Sequence, residues 1–285
     1  MKAIFGVAGN SDSFYKDGNK ASEQMPAWLA DFGLDAYEYQ CGNGVRCGQK
    51  TAEKIADEAR KNGIIMSVHS PYYINLATKE EEKRLSSVNY ILQSAELVKN
   101  LGGERVVVHS GALCGLSREE ALENAKKTLV LAHEKMVESG FSDVRLCIET
   151  MGKINQLGDL LEVMELCRLD DSFLPCIDFG HLNARTLGGF KTVADFEVIF
   201  DAIRDRLGTE REQIFHSHFS KIEYTTGGEK KHLTFADTVY GPEFEPVAEI
   251  IVKRQLAPTV ICESSGTQAE DSLTMKKIYE KMLTN

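Results

Sequence analysis

Glu104-Arg-Val-Val-Val-His109, then Ser117-Arg-Glu-Glu120 and a helical pattern, then Val144-Arg-Leu-Cys-Ile-Glu149: this stretch contains the fold in miniature. Two short β-branched runs bracket a segment whose Ala121, Leu122, Ala125 and Leu129 share one helical face, and Ser117 with Glu120 forms a capping-box pattern. Two strands joined through a helix run parallel, so their ends meet at one edge of a sheet. Here those ends are a histidine and a glutamate.

The same unit recurs along the chain. Strand candidates fall at 2–8, 35–40, 64–69, 104–109, 144–149, 174–178, 213–218 and 258–263, each followed by a helical or mixed segment. Asn100-Leu-Gly-Gly103 closes one helix in the usual glycine-terminated way. Eight βα units with no linker or low-complexity tract predict one α/β domain over residues 1–285, a (β/α)8 TIM barrel with its site at the C-terminal ends of the strands. The polar, glycine-containing segment 220–240 is expected to be an active-face loop after strand seven.

Six of the apolar runs end on residue types that ligate metals: Val68-His69, Val108-His109, Ile148-Glu149, Ile177-Asp178, Phe215 through His218, and Cys262-Glu263. In a barrel these six side chains converge at one rim. Neutral imidazoles and carboxylates from remote strands are what a divalent cation requires. Three histidines and three carboxylates suffice for two ions sharing a bridging carboxylate, an arrangement suited to phosphoester hydrolysis and also to enolisation or hydride shift on sugars. Two residues back from the rim, strand alternation places Ser67, Val107, Cys147, Cys176, His216 and Ile261 in the barrel interior. Cys147 and Cys176 read as packing residues. His216 reads equally as a hydrogen-bonded core histidine and as a donor beneath the metals.

Composition narrows the classes. The chain has 285 residues, 42% hydrophobic and 27% charged, with a formal net charge of -10, which disfavours a broad surface for polyanions unless bound cations reverse the sign locally. The seven cysteines are odd in number and scattered, without a Cys-x-x-Cys pair, so reduced thiols fit better than a disulfide framework or a zinc finger. No run approaches the 18 apolar residues of a membrane span, and residues 2–8 read as a strand rather than a signal peptide. A cytoplasmic monomer is the expectation.

The local motifs are more specific than the architecture. His69-Ser-Pro-Tyr-Tyr-Ile-Asn-Leu76, His109-Ser-Gly111, Ile148-Glu-Thr150, Cys176-Ile-Asp-Phe-Gly-His181, His218-Phe-Ser-Lys221 and Cys262-Glu-Ser264 together resemble the endonuclease IV family of apurinic/apyrimidinic endonucleases, within the xylose-isomerase-like barrel superfamily. The resemblance implies a zinc-dependent hydrolase that cuts the DNA backbone 5′ to abasic sites in duplex DNA during base excision repair. It implies that His69 and His109 hold one ion, that Glu149 bridges to a second held by Asp178, His218 and Glu263, and that His181 belongs to a third. Glu149 and Glu263 are the carboxylates expected to assist catalysis. Manganese and iron suit the same ligands.

Two departures from the family pattern stand out. The family completes its third site with an Asp-x-His pair after strand seven, where this chain aligns Lys230 and His232. An ammonium has no lone pair to give. Two ions are therefore expected, with the third open: Asp237 completes it, Lys230 stands in for its charge against a phosphate, or Lys230 and Lys231 are simply solvated. The other departure is Phe219-Ser220 after His218, where the family usually carries Asn-Asp. For DNA, Tyr72 corresponds to a side chain inserted at the lesion, and Arg46, in a glycine-rich loop, is a candidate for the minor groove, as is Lys230 for a phosphate. Both Tyr72 and Arg46 have ordinary alternatives in loop packing and exposure. Trp28 reads as core and His133 as a surface helix residue. Two competing readings remain open: a sugar or polyol isomerase or epimerase using Glu149 and Glu263 as acid–base partners, and a metal-binding protein that recognises damaged DNA or a partner without turnover.

Overall fold

The computed structural model describes residues 2–284. Its strands are β1 (Ile4–Ala8), β2 (Ala36–Gln40), β3 (Ile65–His69), β4 (Arg105–His109), β5 (Arg145–Glu149), β6 (Leu174–Asp178), β7 (His216–Phe219), β8 (Ile222–Thr225), β9 (Gly228–His232) and β10 (Thr259–Cys262). Eight of them close a parallel barrel in the order β1-β10-β7-β6-β5-β4-β3-β2, with β2 pairing back to β1, and helices cover its outside. A TIM barrel is what the βα alternation predicts.

Two segments differ from expectation. Residues 220–240 are not an open loop: β8 and β9 pair antiparallel as a hairpin standing on the active face. Strand seven begins at His216 rather than at residue 213, because Thr209–Ile214 is helical.

Alternation along each strand divides the side chains between two environments. Outward-facing Val106, Val108, Leu146, Ile148 and Ile177 are fully buried in the main core between strands and helices. Each such burial is worth about 1.5–3 kcal/mol. The interior is different: its apolar filling falls into two small clusters, one of Val107, Cys147, Leu174 and Cys176, the other of Ala8, Ala36 and Ile261. Polar side chains occupy the rest of the interior. Barrel closure also explains Gly6, where an added Cβ would lie 2.4 Å from the Ala36 carbonyl oxygen across the β1–β2 seam.

The helices begin and end as their sequences direct. Helix Arg118–Glu138 starts at the Ser117 capping box, in which Ser117 Oγ accepts from the Glu120 amide at 3.2 Å and Glu120 Oε2 accepts from the Ser117 amide at 3.0 Å. Its buried face is Ala121, Ala125, Thr128, Leu129, Ala132 and Met136. Trp28 packs edge-on to Phe14 and donates its indole N–H to Asp17, while His133 faces Asp170 on the outside of the barrel. Among the described residues no helix is long and apolar enough to cross a membrane. Replacing Ser117 by Ala removes one cap hydrogen bond, with an expected loss of about 1 kcal/mol. Urea denaturation should show a lower midpoint with an unchanged m-value.

Candidate metal centre

Glu149, at the end of β5, is 1% exposed and lies at the middle of the rim. Its Oε2 is 3.2 Å from His69 Nε2 and 3.0 Å from His109 Nε2, while its Oε1 is 3.3 Å from both His218 Nδ1 and His181 Nδ1. Burial alone would raise its pKa, but the surrounding imidazoles, His109 and His218 foremost, hold it well below the ordinary carboxylate value. It is therefore an ionised group with imidazole nitrogens facing both oxygens, the setting of a bridging ligand.

Backbone and side-chain partners orient the imidazoles. His69 Nδ1 donates to the Ser70 carbonyl at 2.8 Å, so Nε2, the nitrogen facing Glu149, is the one free to ligate when the ring is neutral. His181 Nδ1 donates to the Thr150 carbonyl at 2.9 Å, so its Nε2 faces Glu229 at 3.5 Å. His218 presents Nδ1 upward, within 3.5 Å of Glu263, because its Nε2 is engaged below. Asp178 caps the helix Phe179–Arg185 by accepting the His181 amide at 2.7 Å on Oδ1, while its Oδ2 is buried without a hydrogen-bond partner. His181 Nδ1 stands 3.3 Å from that oxygen, and a buried carboxylate oxygen set among imidazole nitrogens fits a cation.

Among the described residues five groups have ligand atoms within 4.8 Å of one another; three of them account for all the rim donors, namely His69, His109 and Glu149; Glu149, Asp178, His218 and Glu263; and His181, Glu229 and His232, while the other two are His69, His218 and Glu263, and, below the rim, Cys176, His216 and His218. All eight metal-ligand candidates read from the sequence thus come together at one rim. Their chemistry, neutral nitrogen and carboxylate oxygen, fits divalent cations of the zinc, manganese or iron type.

The third group corrects the reading of the hairpin. Lys230 does not stand at the carboxylate position; Glu229 does. Register along the hairpin pairs Glu223 with Lys231 and Tyr224 with Glu229, so Lys230 is an extra residue in a β-bulge. In a regular strand, residues three apart face opposite ways; the bulge restores Glu229 and His232 to one face. Lys230 instead turns outward to Glu223 at 2.6 Å and lies outside the pocket lining. Asp237 is no substitute ligand either, since its Oδ1 accepts the Val239 and Tyr240 amides. The Phe219-Ser220 departure has a local role. Phe219 enters the core, and Ser220 Oγ lies 2.8 Å from His232 Nδ1.

A second residue that the sequence did not single out is Glu38. From β2 it lies fully buried beneath the rim, with its carboxylate against His216 and His218. Although burial raises its pKa, His218 and His216 hold it well below the ordinary value. The Cys176 thiol nearby is pushed far above its usual pKa by burial and packs with Val107, Cys147 and Leu174 in the barrel interior.

Above the ligands lies an open pocket of about 380 Å³, lined at its edge by Gln40, Tyr72, Met151, Lys153 and Gln156. Tyr72 is 56% exposed, its ring 4.3 Å from that of Tyr73. Arg46 is exposed in the loop after β2 and does not line this pocket.

The sequence model of the xylose isomerase-like TIM barrel family matches residues 26–280. The chain belongs to that family. Among curated proteins it is 33% identical to an uncharacterized protein of Methanocaldococcus jannaschii, covering 96% of each chain. It is 27% identical to a probable endonuclease 4 of Shouchella clausii over 72% of each, and 29% identical to one of Mycoplasma genitalium over 78% of this chain and 72% of the relative. Among solved structures, endonuclease IV of Thermus thermophilus superposes with a TM-score of 0.67 at 19% identity, covering 100% of this chain and 99% of that one. A D-tagatose 3-epimerase-like protein superposes with a TM-score of 0.73 at 20% identity, covering 99% and 98%. The endonuclease IV resemblance is supported by these relatives, whereas the structural likeness speaks for the barrel alone.

Two outcomes follow. Glu229→Gln should lose one equivalent of bound Zn2+ by metal analysis after dialysis, whereas Lys230→Ala should retain the full complement. Equal metal content in the two variants would overturn the assignment of the third group. In the metal-free protein, burial lowers the His69 pKa but hydrogen bonding to Glu149 overrides it, raising it from 6.5 to about 9. Stability from this pair is fully present below pH 6.5 and lost as pH rises through about 9. Zn2+ needs the neutral imidazole, so its stabilisation runs the other way. Across that interval the Tm of chelator-treated protein should fall while the increment from added Zn2+ grows; a pH-independent increment would exclude imidazole ligands.

Proposed function

We propose that this protein is a metal-dependent phosphodiesterase of the endonuclease IV kind, hydrolysing duplex DNA at abasic sites. The observation that carries the reading is the three-group donor set, with Glu149 shared between the first two groups and the third completed by Glu229. In this reading His69, His109 and Glu149 hold one divalent ion, Glu149, Asp178, His218 and Glu263 a second, and His181, Glu229 and His232 a third; zinc is the metal proposed. Bound ions would supply Lewis-acid activation of water and of the phosphoryl group.

The chain's own residues divide the remaining tasks. Of the two carboxylates, Glu263, the one nearer solvent, accepts the proton that water loses as it attacks phosphorus and the P–O bond to the leaving sugar oxygen breaks, while Glu149 helps to orient the water; the proton is then available to the departing oxygen. Burial tends to raise Glu263, but His218 and His232 lower it, and its side chain is the more exposed of the two at 15%. Lys153, which lines the pocket, offers a cation to a phosphate oxygen. The exposed Tyr72–Tyr73 pair offers a stacking surface where a base has been lost, and Arg46 lies on a loop able to reach the adjacent groove.

A sugar isomerase or epimerase is the second reading, favoured by a specific observation: Lys153 is the sole lysine or arginine among the pocket's lining residues. A neutral polyhydroxylated substrate asks for less positive charge than a polyanion does. The two readings separate on a duplex carrying a tetrahydrofuran abasic analogue. Zn2+-loaded protein should incise it, and Glu149→Gln should lower kcat/KM by about 10²–10³-fold or more. No incision, with turnover of a ketose or aldose, would replace the first reading by the second.

A further inference from the structure

Strand β2 gives the rim no metal ligand; its rim residue is Gln40, and Glu38 sits one row lower in the barrel interior. There Glu38 has no solvent exposure and four neighbours capable of donating hydrogen bonds. Its Oε1 lies 2.9 Å from His218 Nε2 and 3.3 Å from Gln40 Nε2, and its Oε2 lies 2.9 Å from His216 Nε2 and 2.9 Å from Ser67 Oγ. A buried carboxylate is costly unless each oxygen is satisfied. Retaining one here, where an apolar residue would fill the interior, calls for a reason beyond packing.

We propose that Glu38 is a positioning residue for the metal centre, whose carboxylate locks His218 with Nε2 protonated so that the Nδ1 lone pair faces Glu149, Asp178 and Glu263. The inference rests on the metal-centre reading but not on the substrate.

The geometry is specific. An imidazole has one protonated and one free nitrogen when neutral, and the partner of the first decides which nitrogen is left to ligate. At His218 the acceptor is Glu38, from below, and the free nitrogen is the one 3.3 Å from Glu149 and 3.5 Å from Glu263. His69 and His181 take this orientation from backbone carbonyls; His218 alone of these three takes it from a carboxylate. A negative acceptor also makes the ligating nitrogen more basic. His216 completes the arrangement: it donates Nε2–H to the other oxygen of Glu38, while its own Nδ1 is buried without a hydrogen-bond partner.

The test uses the full-length protein and metal alone. In 15N-histidine-labelled protein loaded with 113Cd2+, the His218 Nδ1 resonance should couple to cadmium and Nε2 should retain its proton; coupling through Nε2 would overturn the proposal. In chelator competition, Glu38→Gln should weaken the His218-dependent ion by about 10–100-fold, whereas His216→Gln, whose amide nitrogen takes the place of Nε2 and can still donate to Glu38, should bind within about threefold of wild type. Equal affinities for wild type and Glu38→Gln, or equal losses in the two variants, would reject a positioning role. If Glu38→Gln does not fold, the cadmium coupling in wild type still decides. Wild-type protein that binds neither Zn2+ nor Cd2+ would overturn the metal-centre reading and this inference together. Failure to cut abasic DNA bears on the substrate alone.

Discussion

A carboxylate with 1% exposure must be matched from all sides or it will not stay ionised, and Glu149 meets that constraint at the point where four histidines converge. Desolvating such a group costs several kcal/mol, which only close, well-oriented partners offset. The partners come from β3, β4 and β7 and from the helix after β6. No local segment could assemble them, so the barrel is the means by which one carboxylate is surrounded.

Orientation matters as much as proximity. The ring nitrogens of His69 and His181 are assigned by carbonyls at the ends of β3 and β5, and that of His218 by a carboxylate in the barrel interior. Polar side chains therefore occupy space that other barrels fill with branched aliphatics, leaving two small apolar clusters inside. Stability is carried by the outer core instead, where the alternate residues of the same strands meet the helices. The interior is available for chemistry because the exterior of the barrel has already buried enough apolar surface.

The hairpin of β8 and β9 shows how a local irregularity changes a functional assignment. A regular strand would set Lys230 beside His232, whereas the bulge turns Lys230 to Glu223 and brings Glu229 over His181. One inserted residue thus exchanges a cation for a carboxylate at the third group. The loop therefore adds a carboxylate and an imidazole to the rim.

Much of this was legible in the chain itself. Parallel strands with period-two alternation end where their apolar runs end, so His69, His109, Glu149, Asp178, His218 and Glu263 could be assigned to one rim from local pattern alone. His181 and His232 followed from the family motifs. Glu229 was not legible, because strand periodicity carries no mark of a bulge whose position depends on pairing with β8. Nor was Glu38: within Ala36-Tyr-Glu-Tyr-Gln40 it reads as the polar face of a strand, and only closure of the barrel places that face against His216 and His218. By itself, then, the sequence determined the repeating unit and the ligand types at its strand ends, since both depend on neighbours along the chain. Which carboxylate completes the third group, and which one orients His218, was decided by the tertiary structure, since both depend on contacts between strands that pair or face one another only in the folded barrel.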